Sequence, residues 1–214
     1  MSQHVYAFGS ICRDDFSRDS DIDLLAIVDG FKSRFDPALF SIYSYRRIIA
    51  LWQCGNPFAW HLALESRLVY ASNGEDFLRS LGEPAPYQNW DKDCHKFQLL
   101  FLDALSAMHE SRETRLFDLS TIFLSIRNFA TCYLLGARGI PDFSRNVARR
   151  MGEASVPLSE EGFGILSRAR TLCVRGIGDY IDEDDCNRVF AQLPAVSDWM
   201  AGLLVARSED VRIQ

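Results

Sequence analysis

The chain has 214 residues, 48% apolar and 24% charged, with a formal net charge of −6. That apolar content can build a real core and excludes a globally disordered chain. The acidic balance argues against strong non-specific nucleic-acid binding, which runs on phosphate neutralisation by Lys and Arg.

Six cysteines, Cys12, Cys54, Cys94, Cys132, Cys173 and Cys186, are scattered without a C-x-x-C pair. Neither a zinc cluster nor a disulfide framework is expected from that spacing. The first residues, MSQHVYAFGS, lack a basic segment followed by a long apolar run. No segment approaches the ~20 uninterrupted apolar residues that span a bilayer. The expectation is a reduced, cytoplasmic setting with no membrane partner.

In chain order, Val5 to Phe8 is short, apolar and ends at a glycine, which reads as a strand. Ile22 to Val28 is a nearly continuous apolar run closed by Asp29-Gly30, the pattern of a strand buried on both faces. Leu39 to Tyr43 is a third strand. Ser44 then caps a helix carrying Ile48, Ile49, Leu51 and Trp52. Gly55-Asn56-Pro57 breaks it, and Pro57 suits the first turn of a second helix through Leu64. Leu68 to Tyr70 is a last short strand. Two prolines and a glycine in Gly82 to Asn89 mark a boundary.

Beyond it the pattern is helical. Lys92 to Glu110 carries Phe97, Leu100, Phe101, Ala104, Leu105 and Met108 at helical period. Phe117 to Leu135 is a long apolar helix ended by Gly136 or Gly139. Ser144 to Met151 reads as a short basic helix. Glu160 to Val174 and Asp184 to Val205 supply two more, the latter interrupted at Pro194. Phe97, Phe101, Phe123, Ile126 and Leu134 are the expected core. The fold class is therefore α+β, a small mixed-sheet domain over residues 1–85 followed by an all-α helical bundle over residues 90–214.

The stretch that carries chemistry is Gly9 to Leu25, GSICRDDFSRDSDIDLL. Asp21 and Asp23 flank Ile22 at the start of a strand, so both carboxylates point to one face. Two carboxylates side by side repel, and a divalent cation relieves that. Mg²⁺ suits them, because it takes one or two protein carboxylates and leaves positions for water and phosphates. Gly9 has no side chain, so a phosphate can come close to the backbone. Ser10 adds a hydroxyl and an amide in a turn, and turn amides pointing one way make an anion-binding concavity. A phosphate cradle beside a metal site is the hardware for attack on a nucleotide α-phosphate.

At these residues the chain resembles the DNA polymerase β-like nucleotidyltransferase superfamily, above all its minimal and antibiotic nucleotidyltransferase branches. That pattern is Gly-Ser, an Arg, then Ser-Asp-x-Asp, and Gly9, Ser10, Arg13, Ser20, Asp21 and Asp23 fill it. The resemblance implies Mg²⁺ at Asp21 and Asp23. It also implies a nucleoside triphosphate, ATP first among them, at Gly9, Ser10, Arg13 and Ser20. The sequence departs from the pattern at Asp14, where Gly is usual. It departs again at the third carboxylate expected on a later strand, since ALFSIYSY holds no acid. Asp36 just before that strand, or Glu65 farther on, is left to fill the place.

His61 and Glu65 lie four apart on one helix face and read as a structural pair. Arg127-Asn128 resembles part of the signature of the helical HEPN ribonucleases, but the histidine of that signature is missing, so a polar pair inside a bundle is preferred. Arg145, Arg149 and Arg150 read as a solvated basic face. Two function classes follow. One is an enzyme that moves a nucleoside monophosphate from Mg-NTP to an acceptor hydroxyl on a small molecule, protein or RNA end, the acceptor being unidentified. The other is a non-catalytic relative that binds nucleotide or a protein partner, in a defence or toxin–antitoxin setting or as a homo-oligomer.

Overall fold

The structure is a computed structural model that describes residues 2–13, 22–30 and 35–210. It divides into two compact units, Met1–Gln88 and Asn89–Gln214. The first is a mixed sheet with helices and the second is helical.

In the first unit, β1 (Gln3–Phe8), β2 (Asp23–Val28), β3 (Phe40–Ser44) and β4 (Ser66–Ala71) form one sheet in the order β3-β2-β1-β4. β1 runs antiparallel to β2 and β4, and β2 runs parallel to β3. β2 is buried on both faces, as its unbroken apolar run demands: Leu25, Ala26 and Ile27 are all fully buried. Leu25 and Ile27 join Tyr6 and Phe8 against three helices, α1 (Tyr45–Gln53), α2 (Pro57–Glu65) and α3 (Phe77–Ser80), which contribute Ile48, Trp52, Leu62 and Leu78.

Local signals start the first two helices. Ser44 Oγ accepts from the Arg47 N–H at 3.2 Å, and Asn56 Oδ1 accepts from the Phe58 N–H at 2.9 Å. Pro57 sits where no N–H is needed. The short α3 was not anticipated. It is tied to the sheet by a tyrosine: the Tyr6 hydroxyl donates to Asp76 Oδ1 at 2.9 Å and accepts from the Leu78 N–H at 3.0 Å. Burial pushes that phenol's ionisation upward, so it stays a donor.

The second unit holds α4 (Trp90–Glu110), α5 (Arg115–Arg138), α6 (Glu160–Arg175), α7 (Glu183–Phe190) and α8 (Leu193–Asp210). Phe101, Phe123, Ile126 and Leu134 are buried as expected. Phe97 is only partly buried, with the Lys96 ammonium 5.9 Å from its ring. Gly139, at φ +67°, ends α5. Gly136 stays inside the helix and lies against Trp90, where an added Cβ would stand 2.0 Å from the Trp90 Cβ.

The basic helix expected over Ser144 to Met151 is not there. The segment makes two 3₁₀ turns instead, Val147–Arg149 and Gly152–Ala154. Arg127 Nη2 takes the Phe143 carbonyl at 2.8 Å and its Nε takes that of Ser144 at 3.4 Å, so carbonyls that would open a helix face another partner. Gly152, at φ +64°, breaks the run. The stretch Glu183–Ala206 is long and apolar enough by length and composition to cross a membrane. It is nonetheless broken at Ala191-Gln192, with Pro194 in the first turn of α8, and it buries Val189, Leu193, Val196 and Met200. All six cysteines are free thiols.

Gly136→Ala is expected to destabilise the helical unit by about 1–3 kcal/mol, the usual range for over-packing a closed contact. Urea unfolding followed by helical ellipticity reads this directly, and an unchanged midpoint contradicts the Gly136–Trp90 contact.

Candidate functional site

The site is assembled by antiparallel register. Phe8, the last residue of β1, pairs with Asp23 at the start of β2 on one side and with Ser66 at the start of β4 on the other. The chain therefore leaves the sheet at Gly9 with Asp23 to one side and Glu65-Ser66 to the other.

Gly9 is buried, adopts φ +80° and opens a 3₁₀ turn, Gly9–Cys12, closed by the Arg13 N–H on the Ser10 carbonyl at 3.1 Å. A Cβ on Gly9 would stand 2.7 Å from Asp23 Oδ2. Glycine is thus required twice over, once by the left-handed backbone and once by the carboxylate lying across its Cα. Asp23 is exposed and Ser10 partly so. A carboxylate this close to a glycine turn can share a divalent cation with phosphate oxygens, and Mg²⁺ takes few protein carboxylates and several phosphate oxygens. Asp21 and Ser20 lie outside the described residues. Among the described residues no three His, Cys, Asp or Glu side chains gather into a metal cluster.

Asp36 sits at the entry to β3. Its Oδ1 accepts from the Ala38 N–H at 2.9 Å, and its carbonyl accepts from Leu39 and Phe40 at 3.0 and 2.9 Å. This turn consumes its side chain locally. The parallel register begins at the Leu24–Phe40 pair, and Leu39 lies in the turn that leads into β3. Leu39 is exposed, β3 itself carries no acid, and Asp36 lies four residues before Phe40.

Arg13 does not stand alone. Its Nη1 forms an ion pair with Glu65 Oε2, and His61 Nε2 lies 2.9 Å from the same oxygen. All three side chains are mostly buried. Phe8 meets the His61 ring edge-on at 5.6 Å between centroids. Sequence reasoning paired His61 with Glu65 but missed Arg13 as their partner. The available signal was position, since Glu65 immediately precedes the strand that pairs with Phe8. Burial pushes the neighbouring Cys12 thiol up, and its Sγ–H reaches the Ala7 carbonyl at 3.5 Å.

Residues 2–79 match the family model of the nucleotidyltransferase domain. A mixed sheet followed by helices agrees with a polymerase β-like nucleotidyltransferase carrying a helical C-terminal part. No curated protein matches the chain.

Gly9→Ala is expected to cost about 1–2 kcal/mol through the left-handed backbone alone, and to displace the Asp23 carboxylate. A chemical-denaturation midpoint equal to that of the unsubstituted protein contradicts both the backbone angle and the close approach.

Proposed function

We propose, from the nucleotidyltransferase domain at residues 2–79, that this protein moves a nucleoside monophosphate from Mg-NTP to an acceptor hydroxyl. The observation that carries this reading is the Asp23 carboxylate lying across Gly9 at the mouth of the turn. The amides and hydroxyl of Gly9 and Ser10 receive the triphosphate, with Ser20 and Arg13 as further phosphate ligands. Asp21 and Asp23 hold Mg²⁺, which when bound neutralises phosphate charge. ATP is the first candidate nucleotide, and six free thiols suit a reducing, cytoplasmic compartment.

In the transfer, the acceptor oxygen bonds the α-phosphorus, the bond from that phosphorus to the bridging oxygen breaks, and pyrophosphate leaves. The acceptor hydroxyl also gives up a proton. Asp36 is the acid of the β3 entry and the assigned proton acceptor, but it must give up its bond to the Ala38 N–H to serve. β3, which reads FSIYS, carries no acid that could serve as the third carboxylate. Turnover with generic acceptors is therefore slow, since losing a general base costs ~10²–10⁴-fold in rate. The same observation favours a second reading, a nucleotide-binding module without turnover.

Two measurements test this. Mg-NTP at about a hundredfold its Kd should stabilise the fold by about 2.7 kcal/mol, and the Asp21→Asn/Asp23→Asn double variant should lose the Mg²⁺-dependent part of that thermal shift. A shift that survives the double change removes the metal assignment. Labelled NTP incubated with candidate acceptors should show slow transfer or none. Rapid transfer abolished by Asp36→Asn would make Asp36 a fully competent third acid, and rapid transfer indifferent to it would move the base elsewhere.

A further inference from the structure

The sequence pattern supplies Arg13 but says nothing of what holds it. A guanidinium has five N–H donors and reaches phosphate well only when its planar fork is held in place. Glu65 comes from the last turn of α2, adjoining Ser66, which pairs with Phe8 immediately before the Gly9 turn. Its Oε2 engages Arg13 Nη1 and stands 2.9 Å from His61 Nε2. His61 is itself clamped edge-on by Phe8 and Phe58, at 5.6 and 6.4 Å between centroids. The carboxylate therefore has the His61 ring packed on one side, with Nε2 at 2.9 Å but outside hydrogen-bond geometry, and it holds the guanidinium on the other. Arg13 Nε is buried and makes no hydrogen bond among the described residues, while Nη1 is taken by Glu65. Arg13 is also tied to the turn it serves, its N–H donating to the Ser10 carbonyl at 3.1 Å.

We propose that Glu65, braced by His61, is the positioning residue of Arg13, setting its guanidinium beside the Gly9–Ser10 turn for the phosphate chain of the nucleotide. This rests on the nucleotidyltransferase reading. It also assigns Glu65 to Arg13 rather than to the metal, since its Oε2 already faces Arg13 and His61. Glu65 touches neither nucleotide nor metal and acts through Arg13 alone. Effects of residues acting through one another do not add.

The test is a double-variant cycle on the full chain, reading the ratio of Mg-ATP to AMP affinity by calorimetric titration. That ratio isolates the β- and γ-phosphates and is blind to a general loosening of the fold. Arg13→Ala should lower it by about tenfold or more, as expected for a charge-assisted hydrogen bond to phosphate. Glu65→Gln should lower it by a smaller factor, and Arg13→Ala/Glu65→Gln should match Arg13→Ala. Glu65→Asp keeps the charge one methylene further back and should give a loss between those of the unsubstituted protein and Glu65→Gln. It also serves if the amide variant does not fold. Losses that multiply in the double variant overturn the proposal, as does a Glu65 variant with an unchanged ratio. A Glu65→Gln protein whose nucleotide binding no longer responds to Mg²⁺ would make Glu65 a metal ligand instead. If the unsubstituted protein binds no Mg-ATP at all, the nucleotidyltransferase reading itself falls and this role falls with it.

Discussion

The constraint on which the site depends is the pairing of Phe8 with Asp23 across β1 and β2. It places an acidic strand entry against the residue where the preceding strand ends. Everything else follows from accommodating that approach. The residue after Phe8 must be glycine, because its Cα faces a carboxylate oxygen and its backbone is left-handed. A carboxylate lying at a phosphate-favouring turn is suited to share a divalent cation with phosphate oxygens.

The sheet around this pair is built to keep it rigid. β2 lies between β1 and β3 and is buried on both faces, so the position of Asp23 is set by a strand that cannot slide without exposing Leu25 and Ile27. On the opposite side of β1, α2 runs directly into β4, and its last residue, Glu65, arrives beside the same turn. The turn is thus flanked by two acids with different surroundings. Asp23 is exposed and lies over Gly9, whereas Glu65 is mostly buried between Arg13 and His61. Those surroundings separate a group suited to a metal from one suited to holding a cationic side chain.

Much of the fold was legible in sequence because its signals are local. The apolar run of β2, the caps at Ser44 and Asn56 and the proline at the head of α2 each act within a few residues. What escaped was long-range. The 3₁₀ turns after Phe143 depend on Arg127 capturing carbonyls from another part of the chain, and α3 depends on Tyr6 reaching Asp76 and Leu78. At the site, spacing singled out Gly9 and Asp23, and the structure adds how closely they approach. The Arg13–Glu65 pair spans 52 positions and leaves no local trace. The β3 strand shows the converse: its lack of an acid was plain in sequence, and the structure adds that Asp36 spends its carboxylate on the Ala38 N–H.

The most direct test of the central claim is a crystal structure of the protein with Mg²⁺ and a non-hydrolysable nucleoside triphosphate. The triphosphate should lie on the amides of Gly9 and Ser10, with the cation between it and the Asp23 carboxylate. A nucleotide bound elsewhere, or a triphosphate on the turn with no cation at Asp23, would contradict the account.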